Sequence, residues 1–182
     1  MDIYLVRHGE AASSWGESHD PGLSELGARQ ARDVVAELQS KLDKETQLIS
    51  SPLARARETA LPLAASLSLP VEVRAAFREI PAPVPLPERQ PWLRQFMQET
   101  WEAQPASLCG WRDSIVEQLL ELRQTAVIFT HFLVINAAVG IAQGRAETLC
   151  FWPDNASITQ LRLRSGSLEL VTLGRAMKSV VN

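Results

Sequence analysis

The residues most able to do chemistry stand at the ends of short apolar runs. "IYLV" leads into Arg7-His8-Gly9-Glu10, and "TQLIS" (46–50) leads into Ser51, with Arg55 soon after. "VEVR" (71–74) is followed by Arg78-Glu79, and "TAVIFT" (125–130) runs into His131. Arginine and histidine are costly to bury without partners, so a core strand ending on them needs a reason. Two of the chain's three histidines fall at such ends. The third, His19, lies in the turn-like "GESHDPG" and reads as surface.

Together these side chains suit one task. A phosphate monoester carries about −1.5 to −2 charges near neutral pH. Arginine forks bind its oxygens bidentately, each with about 4 kcal/mol of gross attraction at ~4 Å and an effective dielectric of about 20. The same positive charges lower a nearby histidine's pKa and keep the imidazole neutral, as a nucleophile must be. A second histidine can donate to the transferring group, and a carboxylic acid can protonate the leaving alkoxide.

The elements that must position them alternate along the chain. Strands are expected at 3–6, 46–50, 71–74 and 125–130. The stretch 157–173 reads as a hairpin turning at Ser165-Gly166-Ser167. Helices are expected over 24–43, with Ser24 as N-cap, and from Leu53 to Leu67, with a kink or break at Pro62. Further helices are expected at 92–102, 108–123 and, apolar on every side, 132–142. "PAPVPLPERQP" (81–91) reads as an extended loop without regular helix, walling the site together with Trp92. Trp101, Trp111 and Trp152 are expected in the core. The pattern implies an α/β fold, a three-layer αβα sandwich on a mostly parallel central sheet, spanning 1–182 as a single domain. In such sheets ligands bind beyond the carboxyl ends of the strands.

Bulk properties narrow the function. The 182 residues are 46% hydrophobic and 21% charged, with a formal net charge of −3. An acidic chain argues against sequence-independent nucleic-acid binding. The longest apolar run, 129–142, is too short to span a bilayer, and no secretory signal is apparent. Cys109 and Cys150 match no paired motif, so a reduced, cytoplasmic setting is expected.

"LVRHGE" followed by "SSPLARARETA" resembles the histidine phosphatase (phosphoglycerate mutase-like) superfamily. "DPGLSELGARQA" (20–31), "FREI" (77–80), "VIFTHFLVI" (127–135) and "NASITQL" (155–161) extend the resemblance over most of the chain. It implies a phosphoglycerate mutase-like fold and a metal-independent, cofactor-free phosphatase. His8 would be the phosphorylated nucleophile, Arg7 and Arg55 the phosphate-pocket arginines, and His131 the second histidine. Gly9 would allow close backbone approach, with its carbonyl holding the other ring nitrogen of His8. Glu79 would be the general acid, with Glu10 and Glu88 as alternatives. Substrates would be a small-molecule phosphate ester or a phosphoprotein. A mutase and a phosphate-binding adaptor on the same fold are the competing functions. Phe132 stands where relatives carry glycine, and the proline segment departs from the usual D-x-G-x-W-E-G-like stretch.

Overall fold

A computed structural model describes residues 1–13 and 20–177. His19 lies outside them. Six strands form one sheet: β1 (Asp2–Arg7), β2 (Gln47–Ser50), β3 (Val71–Val73), β4 (Ala126–Thr130), β5 (Ile158–Arg164) and β6 (Ser167–Thr172). Their spatial order is β3-β2-β4-β1-β5-β6. The first four run parallel, and the β5–β6 hairpin closes one edge antiparallel. Ser165 (φ 51) and Gly166 (φ 77) turn that hairpin. Two consecutive positive φ angles match the right-handed twist of the flanking strands.

Five α-helices cover both faces: α1 (Glu25–Leu38), α2 (Ala54–Leu67), α3 (Arg89–Phe96), α4 (Ala106–Leu120) and α5 (Phe132–Gln143). The strands show why two layers of helix are needed. Along β1, Ile3 and Leu5 join the core beneath α3, α4 and α5, while Tyr4 and Val6 join the core beneath α1 and α2. β4 repeats this, with Ala126 and Ile128 on one side and Val127 and Phe129 on the other. Strands buried on both faces read as continuous apolar runs, which is how these appear in the sequence.

Five expectations are corrected. α2 runs unbroken through Pro62. Packing of Ala56, Ala60 and Leu63 into the core carries the helix past the lost backbone bond, which costs about 3 kcal/mol in isolation. α1 stops at Leu38 and tightens into a 3₁₀ turn over 39–41. The proline segment does contain helix. A 3₁₀ turn forms at Leu86–Glu88, and α3 begins at Arg89 with Pro91 in its first turn, where a missing N–H costs nothing. α3 then ends at Phe96, short of 102, because the chain leaves to bridge Thr100 to Glu147 and to donate Trp101 N–H to the Ala146 carbonyl at 2.8 Å. Finally, Trp152 is 48% exposed and outside the core, whereas Trp101 is buried and Trp111 packs half-buried against it.

Register brings the strand ends together. Arg7 pairs with Thr130 across β1–β4, and Ser50 pairs with Phe129 across β2–β4. Arg7-His8, Ser50-Ser51 and Thr130-His131 therefore stand side by side at one carboxyl edge.

Candidate active site

His8 leaves β1 with its N–H bonded to the Thr130 carbonyl at 2.9 Å, which ties it to the end of β4. Its side chain is buried. Nδ1 lies 2.7 Å from the Gly9 carbonyl, and Arg55 Nε–H donates to Nε2 at 3.1 Å. A carbonyl can only accept, so Nδ1 carries the proton of the neutral ring. A guanidinium can only donate, so Nε2 presents its lone pair. Burial first, then Arg55 and Arg7, hold the His8 pKa well below the usual imidazole value, while the Gly9 contact opposes them weakly. The ring is neutral at physiological pH.

Gly9 is required by packing. A Cβ there would meet the Gly27 carbonyl oxygen at 2.6 Å, and a Cβ on Gly27 would strike the Glu10 backbone. The loop after β1 thus lies directly on the first turn of α1. The close backbone approach expected of Gly9 is made to Gly27. Gly9 N–H donates to Thr59 Oγ1 at 3.0 Å, and Thr59 O–H donates to the Arg55 carbonyl at 2.6 Å. One buried hydroxyl therefore couples the loop after β1 to the helix that carries Arg55.

Arg7 is buried, with Nη1 donating to the Pro153 carbonyl at 2.8 Å. Its guanidinium carbon lies 5.3 Å from the Phe132 ring centroid. Phe132 meets Trp152 edge-on at 5.3 Å. Phe132 therefore floors the arginine, and the half-exposed Trp152 backs that floor. Burial pulls the Arg7 pKa down to about 10, against the raising influence of Glu79 and Asp154, so the group stays charged at neutral pH. Arg55 is likewise buried and lowered, and Asp20 stands 4.0 Å from its Nη1.

His131 is fully buried between β4 and α5. Its Nε2 lies 2.7 Å from Ser51 Oγ, and its ring centroid is 5.2 Å from that of His8. Among the described residues, His131 Nδ1 and Arg7 Nε are buried with no protein partner. Buried polar atoms of this kind are few in native folds, so each needs a physical reason such as a catalytic role or strain. Burial, then His8, Arg55 and Arg7, hold the His131 pKa well below the usual range.

Glu79 is 4% exposed. Oε1 accepts from its neighbour Ile80 N–H at 3.0 Å, and Oε2 receives a long contact of 3.5 Å from Leu133 N–H in the first turn of α5. Burial raises its pKa above the usual carboxylate value despite those donors and Arg55. Neither alternative shares this burial among the cluster residues. Glu10 accepts from Ser24, the N-cap of α1, at 2.7 Å, and Glu88 is exposed. Glu79 and Arg55 also line a cleft of about 480 Å³ whose far wall is the proline segment, through Pro81, Val84 and Leu86. Trp92 does not line it. That ring stacks on Phe96 at 5.3 Å against the core. A larger cleft of about 620 Å³ opens at the opposite end of the sheet, near Thr46 and Arg123, and is lined by none of the cluster residues.

All six residues singled out from the sequence thus belong to one buried cluster or its backbone support. Three contributors were not assigned roles: Thr59, the Ser51 hydroxyl and Asp20. Thr59 follows Arg55 by four residues, one helical turn, and that spacing is a usable signal. Asp20, whose carboxylate accepts from Ala54 N–H at 2.8 Å, opens the "DPGLSELGARQA" stretch quoted above, but only the fold brings it to α2. Among the described residues there is no group of three metal-ligating side chains, and no helix is long and apolar enough to cross a membrane.

Comparison with known proteins agrees with this geometry. No curated protein sequence matches the chain. Solved structures do. A phosphoserine phosphatase mutant from Entamoeba histolytica, in complex with phosphoserine, superposes with a TM-score of 0.73 at 21% identity, covering 94% of this chain and 95% of that one. A mycobacterial glucosyl-3-phosphoglycerate phosphatase with VO3 gives 0.72 at 21%, covering 96% and 99%. A putative α-ribazole-5'-P phosphatase from Escherichia coli gives 0.74 at 20%, covering 96% and 97%. At these identities the likeness establishes the fold. The family model for histidine phosphatases matches residues 3–176, nearly the whole chain and every residue of the cluster built above. The protein belongs to the histidine phosphatase superfamily (branch 1).

Proposed function

We propose that the protein is a phosphomonoesterase that works through a covalent phosphohistidine on His8. The observation that carries the reading is the state of the His8 ring. Its Nδ1–H is committed to the Gly9 carbonyl, and its Nε2 lone pair faces the Arg55 guanidinium. That is a neutral nucleophile already aimed at a cation able to hold a phosphoryl oxygen.

In the first step Nε2 of His8 attacks phosphorus and the bond from phosphorus to the ester oxygen breaks. Arg7 and Arg55 neutralise the phosphoryl oxygens. Ser51 O–H donates to Nε2 of His131, which leaves Nδ1–H of His131 to donate to a third oxygen. Glu79, whose pKa burial raises, transfers a proton to the leaving alkoxide. In the second step water attacks phosphorus, its proton passes to the Glu79 carboxylate, and the P–N bond breaks. Inorganic phosphate leaves and His8 is regenerated. The guanidinium groups supply the positive charge, so the reading needs no metal. The phosphatases that share the fold are named for phosphoserine, glucosyl-3-phosphoglycerate and α-ribazole 5'-phosphate, which favours a small phosphate ester over a phosphoprotein. Two unpaired cysteines fit a reducing, cytoplasmic setting.

The test is hydrolysis of p-nitrophenyl phosphate in the presence of a chelator. Wild type releases phosphate and, after rapid acid-free quenching, carries an acid-labile phosphoryl group. His8→Ala loses both. Turnover that survives in His8→Ala, or isomerisation of a phosphoglycerate without phosphate release, would overturn the proposal.

A further inference from the structure

Arg7 and Arg55 are both buried cations, but they are held in different ways. Arg55 has the Asp20 carboxylate at 4.0 Å, whereas among the described residues no carboxylate forms an ion pair with Arg7. Glu79 and Asp154 favour its charge only from further off. A buried guanidinium without a paired counter-ion is costly, so another group must compensate it. Its contacts are few. Nη1 donates to the Pro153 carbonyl at 2.8 Å and lies 3.5 Å from the Met177 sulfur, while Nε–H has no protein partner. The remaining contact is the Phe132 ring, whose centroid lies 5.3 Å from Cζ. At that distance the electron-rich face of a ring attracts a cation.

The ring itself is fixed. Phe132 is 2% exposed and opens α5, directly after His131. Its carbonyl accepts from Asn136 Nδ2–H at 3.0 Å. Asn136 Oδ1 accepts from the Cys150 and Phe151 N–H groups at 2.7 and 3.0 Å. One fully buried amide therefore ties the first turn of α5 to the segment that supplies the Pro153 carbonyl. The two groups that hold Arg7, ring and carbonyl, are thus joined through Asn136.

The two ways of holding an arginine differ in what they leave for a ligand. A carboxylate cancels the charge and takes N–H donors. A ring face carries no net charge, so the guanidinium keeps its own for an anion. We infer that Phe132 is a positioning residue: its π face holds the Arg7 guanidinium in place, so that the anion pocket is assembled before the anion arrives. The inference rests on the reading above that Arg7 binds the phosphoryl group. If the hold weakens, the side chain spends time elsewhere, and anion affinity falls with the fraction of molecules still assembled.

Replacing Phe132 by phenylalanines that carry one, two and three ring fluorines tests it. Fluorine withdraws charge from the ring face with little change in size, so a purely steric role would not respond. The same series at Phe96, whose ring packs on Trp92 and Trp101, is the control. With Arg7 present, Tm should fall along the Phe132 series, by about 2–8 °C at three fluorines. In an Arg7→Gln background it should not. Calorimetric titration with inorganic phosphate should lose affinity in step, about tenfold at three fluorines. The kcat/KM for p-nitrophenyl phosphate should fall with it, and the Phe96 series should leave phosphate affinity unchanged. Melts that respond equally with and without Arg7 overturn the contact. Phosphate affinity that is flat along the Phe132 series, equal losses in the Phe96 series, or a wild type that binds no phosphate overturn the positioning role. Affinity that falls along the series in a protein that hydrolyses no ester leaves the inference standing and refutes the phosphatase reading. Turnover through His8 with a flat phosphate series does the reverse.

Discussion

Thr59→Val removes one hydroxyl and almost no volume, and it tests whether the nucleophile loop is held from α2. In the protein Thr59 Oγ1 accepts from Gly9 N–H at 3.0 Å and donates to the Arg55 carbonyl at 2.6 Å. The residue is fully buried, so water cannot replace it. Leaving the Gly9 N–H unpaired there should cost about 1–3 kcal/mol. A chain of this size loses ~2–4 °C of Tm for each kcal/mol, so the melting temperature should drop by roughly 2–12 °C. The kinetic effect should exceed what stability explains. The Gly9 carbonyl fixes the His8 tautomer, and displacement of a reacting group by about 1 Å can cost ~100-fold. We expect kcat for an aryl phosphate to fall ~10–100-fold with KM changed much less. Thr59→Ser keeps the hydroxyl and should restore most of kcat while losing about 1 kcal/mol for the missing methyl. Thermal melts and steady-state kinetics on the three proteins decide it. A Val variant with wild-type kcat and Tm, or a Ser variant worse than Val, would refute the coupling of Gly9 to α2 through this hydroxyl.

Two further outcomes follow from the site. Glu79→Gln should lower kcat by about 10²–10⁴ for alkyl phosphates, which need a proton on the departing oxygen, and far less for p-nitrophenyl phosphate in its first step. Burst kinetics separate the steps, and an equal loss on both substrates would contradict Glu79 as acid. Stability should fall as pH drops below about 6.5, because His8 and His131 have depressed pKa values and the unfolded chain then binds protons that the folded one does not. Glu79, with its pKa raised, acts oppositely: above about 4.5 the folded chain holds the extra proton, and stability declines as pH rises toward its folded value. Urea titrations across this range should show the acid-side loss shallower in His131→Gln, and an unchanged slope would contradict the burial of a neutral His131.

The legible parts of the fold were those written in local pattern. Apolar runs gave β1, β2 and β4, and the Ser-Gly pair gave the hairpin turn. The misread parts were decided by partners distant in sequence. Pro62 stays in a helix because the core holds its neighbours. The 92–102 pattern breaks at Phe96 because residues 100 and 101 bond to 146 and 147. Trp152 has core-like composition, but its position in the chain past α5 leaves it half outside, over Phe132.

By itself the sequence determined which side chains stand at strand ends, and so the chemistry available: two histidines, two arginines and a carboxylate beside parallel strands. Residue type and position carry that information, because a strand that ends must deliver its next residue to the sheet's edge. Only the tertiary structure decided which nitrogen of His8 is free, why Gly9 must be glycine, and that Glu79 is buried, which raises its pKa. Each depends on an atom from elsewhere in the chain: the Arg55 guanidinium, the Gly27 carbonyl, and the apolar packing around Ile80 and Leu133. Tautomer, close approach and desolvation are properties of distances between segments, and strand register sets those distances.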